Sequence, residues 1–356
     1  MTGVINEFKH VEMPQLLSLG TDMIQSLPEI IDKLSLKKNC LLITDKFLKD
    51  KYAKITKEIL EDHGKFRVVL STIEDSTLEE ADKQIILLNE VKTDFVIGLG
   101  GGKPIDVAKL TSFKANQRFI SIPTIASHDG IASSRASLKG IQERHSIQAR
   151  PPIAVVADTT ILDNSPFRFT SSGCGDIIAK QTSLKDWLLA HRLKNEPISP
   201  TSIALAEMTV KLVIQYADLI KSKTEGYSRI VMNSLIGSSL AMCVAGSSRP
   251  GSGSEHMFSH ALDSILERPA LHGEQCALGS LMMAYLHDLD WEEIKTTMLK
   301  LNLPVKAKDL NITDDDIIKA LKIAHTIRPE RYTILGKDGL THEAAVSVAE
   351  KTGVID

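Results

Sequence analysis

The sequence predicts an α/β N-terminal domain, doubly wound around a mostly parallel sheet, followed by an all-α C-terminal domain. Two observations support this fold class. Up to about residue 158, short continuous apolar runs alternate with amphipathic segments, which is typical of a parallel sheet covered on both faces. From residue 165 onward the periodicity is helical and no further strand is predicted. We therefore expect two domains, at residues 1–165 and 166–356.

The individual elements follow from the same patterns. Five apolar runs are the predicted strands, at residues 40–44, 66–70, 94–100, 118–124 and 153–158. A helix is predicted over residues 46–64, with one apolar face formed by Phe47, Tyr52, Ile55 and Ile59. Polar alternating segments on either side of Lys139-Gly140 predict a hairpin that interrupts the doubly wound pattern. The later helices are expected at 176–192, 202–222, 227–246, 272–288, 291–300, 314–326 and 342–352.

Composition excludes several classes of protein. The net charge of −3 comes from 42 basic and 45 acidic residues, which gives no reason to expect nucleic acid or an anionic membrane as a partner. The cysteines form no CxxC pair, so we expect neither a disulfide framework nor a thiolate zinc site. The N-terminus lacks the apolar segment of a signal peptide, and the uncharged stretch 231–248 is expected to be a buried helix. These features predict a cytoplasmic protein.

A glycine-rich loop follows the third predicted strand, in DFVIGLGGGKPIDVAKL. Gly100, Gly101 and Gly102 end the strand, and Pro104 lies in the first turn of the next helix, where its missing N–H costs nothing. Glycine lets a ligand approach the backbone closely, and a helix N-terminus attracts an anion, so we expect the pyrophosphate of a dinucleotide here. The alternative is a tight turn that needs glycine for its geometry. Asp45, at the end of the first predicted strand, is either a ribose ligand or a helix N-cap.

A dense polar loop, SIPTIASHDGIASSRAS, follows the predicted strand at 118–124. Its polar residues and glycine are expected to form a wall for nicotinamide and substrate: Thr124, Ser127, His128, Asp129, Gly130 and Ser133. Asp129 is a candidate acceptor for a substrate hydroxyl. An Asp-Gly turn closed by its own side chain is the alternative.

Three polar clusters interrupt the helical half and predict a metal site. Asp176 is placed at the start of an apolar helix, His256 and His260 lie four residues apart on one helical face, and His272 begins another helix. One carboxylate and two imidazoles suit Zn²⁺ and leave a position open for a substrate oxygen. Spacing alone leaves three alternatives open: His256 with His260 as the ligand pair, Asp176 as a helix N-cap, and histidines that are structural residues of apolar helices.

At these residues the sequence resembles a known family. The strings GGGKPIDVAK, SIPTIASHDG, SGCGDIIAK, GSGSEHMFSHALD and LHGEQCALGS occur in this order. Together they resemble the sn-glycerol-1-phosphate dehydrogenases, a family of the glycerol dehydrogenase and iron-containing alcohol dehydrogenase superfamily, over about residues 10–350. The resemblance implies a dehydroquinate synthase-like fold and a homo-oligomer. It also implies reversible reduction of dihydroxyacetone phosphate to sn-glycerol 1-phosphate with NADH or NADPH, which supplies the backbone of archaeal membrane lipids.

The resemblance also implies roles for individual residues. Asp176, His256 and His272 correspond to zinc ligands, which places His260 beside the substrate instead of on the metal. Asp129, Asp176 and His260 correspond to catalytic, substrate-contacting positions. The implied cofactor contacts, together with the glycines of the loop, are Gly100, Gly101, Gly102, Lys103, Pro104, Ile105, Asp106, Thr124, Ile125, Ala126, Ser127 and Ser133.

The phosphate on the substrate calls for a cation, and Arg249 is the candidate. It lies in AGSSRPGSGSEH, seven residues before His256, and a guanidinium matches phosphate geometry. A helix-terminal arginine that interacts with its own helix dipole is the alternative. The nearest alternative function is a glycerol or polyol dehydrogenase, which needs no phosphate ligand. The family resemblance also raises 3-dehydroquinate synthase, but that enzyme has a glutamate ligand where this chain has Asp176.

Overall fold

The computed structural model describes residues 10–62, 66–139, 144–266 and 270–356. Two compact units form within them. Of the described residues, the α/β unit comprises those of 12–126 and 130–166, and the helical unit comprises 10–11, 127–129 and those of 167–356. Residues 127–129 thus group with the helices, although they follow a strand of the α/β unit.

A six-stranded, wholly parallel sheet forms the centre of the α/β unit. Its strands lie in the order β1-β8-β5-β4-β2-β3. Their bounds are β1 Leu16–Gly20, β2 Asn39–Asp45, β3 Arg67–Ile73, β4 Phe95–Gly100, β5 Arg118–Pro123 and β8 Ala154–Asp158. The five predicted strands are therefore present, and β1 is an additional strand at the sheet edge. The predicted hairpin is also present, as antiparallel β6 (Arg135–Lys139) and β7 (Arg144–Gln148), but its turn lies outside the described residues.

The strand order places the glycine loop at a crossover point of the sheet. β2 and β4 are neighbours, yet the chain continues from β2 to β3 on one side and from β4 to β5 on the other. Open α/β sheets bind ligands outside the carboxyl ends of strands at such a point. The loop after β4 therefore occupies the position expected of a ligand-binding loop.

Helices of the α/β unit cover both faces of the sheet, as the apolar strands require. They are α1 Leu27–Lys33, α2 Lys46–Leu48, α3 Lys54–Asp62, α4 Leu78–Val91, α5 Gly102–Lys114 and α6 Thr159–Asp163. A π turn, Lys49–Ala53, separates α2 from α3 and shifts the helical register. The predicted apolar face of residues 46–64 is therefore wrong at two of its four residues: Phe47 and Ile55 are exposed, whereas Tyr52 and Ile59 pack against the core.

Ten helices make up the described helical unit, apart from short 3-10 turns. They are α7 Phe167–Ile178, α8 Lys180–Lys194, α9 Pro200–Gln215, α10 Ala217–Lys221, α11 Tyr227–Ala245, α12 Ser254–Ile265, α13 His272–Leu286, α14 Trp291–Lys300, α15 Asp314–Ile323 and α16 His342–Thr352. Among the described residues, α11 alone is long and apolar enough to cross a membrane, and 67% of its apolar window is buried in the protein. Such burial is typical of a core helix, as the sequence predicted.

Asp176 lies in the last turn of α7, so its predicted place at the start of a helix is wrong. The preceding SSGCG segment is itself part of α7, and its small residues let α7 approach α13. A Cβ atom on Gly175 would lie 2.4 Å from the carbonyl oxygen of Gly273, and one on Gly273 would lie 1.8 Å from that of Ser172. This close contact brings Asp176 beside the beginning of α13, where His272 lies.

Candidate metal centre and cofactor loop

Asp176, His256 and His272 converge in the helical unit from three helices, α7, α12 and α13. The Asp176 Oδ1 and His256 Nε2 atoms are 3.5 Å apart. The rings of His256 and His272 meet edge to face, with centroids 5.0 Å apart. Asp176 is fully buried and His256 nearly so. The helix packing therefore brings the Asp176 carboxylate next to His256, and the imidazole of His256 next to that of His272.

Neighbouring groups orient both imidazoles. The Glu255 carboxylate accepts a hydrogen bond of 2.8 Å from His256 Nδ1, which leaves Nε2 directed toward Asp176. Glu255 is itself held by the Thr182 hydroxyl and the Gly253 N–H. Burial raises the pKa of Glu255, but the bond from His256 outweighs it and the pKa is lowered, so the carboxylate stays ionised. The Ser259 hydroxyl lies 3.4 Å from Nδ1 of His272. In this ring too, Nε2 is therefore the nitrogen directed at a metal.

A buried lysine joins the two acidic residues of the site. Lys180 donates to Asp176 Oδ1 at 2.7 Å, to Asp129 Oδ2 at 2.9 Å and to the Gly251 carbonyl at 3.1 Å. Asp176 Oδ2 accepts the Asp129 N–H at 2.8 Å, and Asp129 Oδ2 also accepts the Ser238 hydroxyl. Burial lowers the pKa of Lys180, but Asp129 and Asp176 raise it more, so the ammonium stays charged.

The donor set and the charge balance fit a divalent cation. Tetrahedral zinc with oxygen and nitrogen ligands at about 2.0–2.1 Å separates two such donors by about 3.4 Å, close to the observed 3.5 Å between Asp176 and His256. With His256 neutral, as a metal ligand must be, Asp129, Asp176 and Glu255 carry three negative charges and Lys180 one positive charge, a net of −2. A divalent ion would neutralise this buried cluster, which is otherwise costly to keep away from water.

The pKa values of the two imidazoles move in opposite directions. Burial lowers the pKa of His272, and the nearby His256 lowers it further, so His272 is neutral and able to bind a metal. Burial also lowers the pKa of His256, but Cys276 and Asp176 outweigh it and the pKa is raised. At Nε2 of His256 a metal therefore competes with a proton, so metal binding there is favoured as the pH rises.

His260 lies one turn after His256 on α12, and its ring stacks on that of His272 at a centroid distance of 5.8 Å. It thus lies beside the proposed ligands. Sequence analysis missed one further donor, Cys276: within the described ranges, single donor atoms of His256, His272 and Cys276 all lie within 4.8 Å of one another, a group that does not include Asp176. Cys276 is one helical turn after His272 on α13.

The glycine loop of the α/β unit begins α5, with Gly101 as its N-cap and no side-chain cap on the helix. Gly100 has φ +148°, and a Cβ there would lie 2.4 Å from Cγ of Pro104. A Cβ on Gly101 would lie 2.8 Å from Ile125. Local geometry therefore explains these two glycines, and the case for an anion depends on the open helix N-terminus and its place in the sheet.

Several predicted cofactor residues hold the loop together. Asp106 accepts the Ser137 N–H with one oxygen and pairs with the buried Lys109 through the other. Lys109 also donates to the carbonyls of Gly130 and Arg135, so it fastens the hairpin to α5. Asp45 accepts from the Leu48 N–H as an N-cap, the simpler of its two predicted roles. The remaining contacts are Lys103 with Asp75, the Thr124 N–H with Gly100, and Ser133 with Arg135.

Comparison with known proteins identifies the family. Residues 18–166 match the iron-containing alcohol dehydrogenase family. The chain is 46% identical over 355 residues to the glycerol-1-phosphate dehydrogenase [NAD(P)+] of Thermococcus sibiricus, covering 98% of this chain and 99% of the relative. It is also 46% identical to the enzyme of that name from Methanosarcina acetivorans, covering 98% of each. The chain belongs to the glycerol-1-phosphate dehydrogenase family.

Solved structures support the same fold. A probable glycerol dehydrogenase from Sinorhizobium meliloti superposes with a TM-score of 0.80 at 21% identity, covering 98% of this chain and all of that one. The glycerol dehydrogenase of Schizosaccharomyces pombe gives 0.79 at 20% identity, covering 98% of this chain and 91% of that one. The family resemblance inferred from the motifs and the predicted fold class are therefore confirmed.

For a glycerol-1-phosphate dehydrogenase, the surroundings of Arg249 are unexpected. Its guanidinium is buried, pairs with both carboxylate oxygens of Glu196, and donates to the Tyr332 carbonyl at 3.1 Å. The edge of the guanidinium formed by Nε and Nη2 is therefore occupied by Glu196. This buried ion pair argues for a structural role and against the predicted phosphate role of Arg249, which stays a prediction.

The family motifs contain two further functional candidates that sequence analysis missed. Lys180 ends the SGCGDIIAK string, four residues after Asp176. Glu255 directly precedes His256. The i,i+4 spacing was a usable signal for Lys180, because such residues share a helix face, although a helix break at Ala179 lies between the two residues. Adjacent residues point in different directions on a helix, so nothing in the sequence signalled the Glu255–His256 contact.

Proposed function

We propose that this chain catalyses the reversible, NAD(P)H-dependent reduction of dihydroxyacetone phosphate to sn-glycerol 1-phosphate. The observation that carries the proposal is 46% identity, over nearly the whole length of both chains, to relatives named glycerol-1-phosphate dehydrogenase [NAD(P)+]. The product is the glycerophosphate from which archaeal membrane lipids are built. A glycerol dehydrogenase has the same fold, but the structural neighbours of that name share only 20–21% of the sequence.

We assign the metal to Asp176, His256 and His272. Zinc is the ion we propose, because the oxygen and nitrogen donors and their spacing suit it. A divalent ion bound there supplies a Lewis acid for the ketone oxygen of the substrate. Glu255 fixes the tautomer of His256, and Lys180 holds the Asp176 carboxylate in place. These residues keep the donors fixed before the ion arrives, which reduces the cost of binding it.

Asp129 and His260 are the residues we assign to the substrate. Lys180 and Ser238 both bind the Oδ2 atom of Asp129, which holds this carboxylate in one orientation. Its Oδ1 atom is the acceptor we assign to a substrate hydroxyl. His260 stacks on His272 and lies within one helical turn of His256. Its imidazole is the group we assign to proton transfer between the substrate and water, because imidazole exchanges protons near neutral pH.

The α/β unit supplies the proposed cofactor site. The N–H groups at the start of α5 would bind the pyrophosphate of NAD(P)H, and Gly100 and Gly101 would let it approach the backbone. The reduced nicotinamide supplies the hydride. The other assigned contacts, some of which also hold the loop together, are Gly102, Lys103, Pro104, Ile105, Asp106, Thr124, Ile125, Ala126, Ser127 and Ser133.

Steady-state oxidation of NADH and NADPH tests the function. Dihydroxyacetone phosphate, dihydroxyacetone and glyceraldehyde 3-phosphate are compared at equal concentration. We expect kcat/KM to be highest for dihydroxyacetone phosphate with at least one of the two cofactors. Equal or faster turnover of dihydroxyacetone would instead assign the chain to the polyol dehydrogenases.

We further propose that the protein acts in the cytoplasm, where its soluble phosphorylated substrate and NAD(P)H are found, and that it assembles as a homo-oligomer. Light scattering after size-exclusion chromatography measures the assembly. A mass equal to that of one 39.1 kDa chain would contradict it.

A further inference from the structure

The side chain of Cys276 lies where a fourth ligand of the proposed metal would lie. The residue is fully buried on α13, one turn after His272. Its Sγ atom is 3.6 Å from Nε2 of His272 and 3.8 Å from Nδ1. The donor atoms of Cys276, His256 and His272 fall within 4.8 Å of one another. No function assigned above uses this thiol.

The distances match those of a tetrahedral centre. With zinc–sulfur and zinc–nitrogen bonds of about 2.3 and 2.05 Å, a tetrahedral angle separates sulfur from nitrogen by about 3.6 Å. The observed separation of Cys276 Sγ and His272 Nε2 is 3.6 Å. The corresponding oxygen–nitrogen separation, about 3.4 Å, compares with 3.5 Å for Asp176 and His256. Two of the six donor–donor separations of a tetrahedral centre, Cys276–His272 and Asp176–His256, therefore have the expected lengths.

The other cysteines show that burial alone does not explain this arrangement. Cys40 and Cys174 are also buried, and in both, burial raises the pKa of the thiol to about 12. Yet neither belongs to a group of converging donors in the part of the chain that the structure describes. A helix places residues i and i+4 on the same face, so the thiol at position 276 is directed at the ring of His272.

We propose that the Cys276 thiolate is a fourth ligand, completing an oxygen, nitrogen, nitrogen and sulfur set with Asp176, His256 and His272. The inference rests on the metal assignment made under the proposed function. Binding forms a sulfur–metal bond and releases the thiol proton to solvent. Soft thiolate ligands favour zinc and its thiophilic relatives over magnesium and manganese, so Cys276 makes the centre selective among metals. Zinc centres accept a fifth ligand, and the substrate oxygen is therefore not excluded.

Cobalt substitution tests the sulfur–metal bond directly. The full-length protein is stripped with a chelator, reloaded with Co²⁺ and examined by absorption spectroscopy. We expect an intense near-ultraviolet thiolate-to-cobalt charge-transfer band, lost in Cys276→Ser and Cys276→Ala. The matched control Cys40→Ala removes an equally buried thiol from β2 and should keep the band. A wild-type protein without this band, or the same band in Cys276→Ser, would overturn the proposal.

Metal affinities provide a second readout that does not depend on turnover. By isothermal titration, Cys276→Ser should weaken Zn²⁺ and Cd²⁺ binding by about tenfold or more and change Mn²⁺ binding far less. Equal losses for all three ions would contradict the thiolate assignment. In the same assay Asp176→Asn and His256→Ala should abolish tight Co²⁺ binding. If they bind Co²⁺ normally, the metal assignment itself fails; if only the Cys276 variants behave like wild type, the thiol inference alone fails.

Discussion

Replacing Lys180 with methionine should destabilise the metal-free protein strongly and the metal-loaded protein much less. Lys180 is fully buried and is hydrogen-bonded to both Asp129 and Asp176. Methionine keeps a long unbranched side chain, one atom shorter than that of lysine, but leaves the two carboxylates without their cation. Removing one partner of a buried ion pair costs about 3–5 kcal/mol. For a unit of this size each kcal/mol lowers Tm by about 2–4 °C, so the expected fall is about 6–20 °C.

Calorimetry with and without Zn²⁺ measures this effect. Lys185→Met is the matched control, because Lys185 is exposed on the same helix α8 and should change Tm by little. A divalent ion places positive charge beside the same carboxylates, so the gain in Tm on adding Zn²⁺ should be larger for Lys180→Met than for wild type. A Lys180→Met protein that melts like the Lys185→Met control without metal would refute the reasoning.

Three further substitutions test the site. Glu255→Gln removes the charge that orients His256 and should weaken Zn²⁺ binding about 10- to 100-fold by titration, with the fold intact by circular dichroism. Arg249→Leu should lower the free energy of unfolding by about 1.5–3 kcal/mol, through loss of its charged hydrogen bonds, and leave KM for dihydroxyacetone phosphate unchanged. Gly100→Ala should raise KM for NAD(P)H and cost about 1–3 kcal/mol, because its φ of +148° disfavours a side chain. Gly20→Ala, at the end of β1, is its control.

Each of these three predictions would be contradicted by a specific result. Zinc affinity unchanged in Glu255→Gln would mean that the carboxylate does not orient the imidazole. A higher KM for dihydroxyacetone phosphate in Arg249→Leu, with the KM for dihydroxyacetone unchanged, would restore the phosphate role that the buried ion pair argues against. Equal effects of the Gly100 and Gly20 substitutions would show that the loop after β4 has no special conformational demand.

The sequence predicted the sheet well because its strands are buried on both faces. Leu42, Ile97, Ile120 and Val156 lie in continuous apolar runs, and all four are buried. β1 was missed because its edge position leaves most of it only partly buried. The face of residues 46–64 was wrong at two of its four residues because a π turn shifts the register, and no residue pattern signals such a turn.

The order of the motifs was enough to predict the candidate ligands. The residues that contact those ligands could be identified only from the three-dimensional structure. Spacing alone left His256 paired with either His260 or His272, and it placed Asp176 at the wrong end of its helix. The glycines of SGCGD lie within α7, where Gly175 allows the close approach of α13. Contacts between distant segments, such as Arg249 with Glu196, depend on the tertiary fold and could not be derived from local sequence.

Oxidation of the two enantiomers of glycerol phosphate, with metal present and removed, tests the central claim most directly. Reduction of NAD(P)+ is followed with sn-glycerol 1-phosphate and with sn-glycerol 3-phosphate. Each is measured before chelation, after dialysis against EDTA, and after Zn²⁺ is restored. We predict rapid oxidation of sn-glycerol 1-phosphate alone, loss of that activity without metal, and its recovery with Zn²⁺. Preference for sn-glycerol 3-phosphate, or full activity with metal below the molar concentration of the protein, would contradict the account.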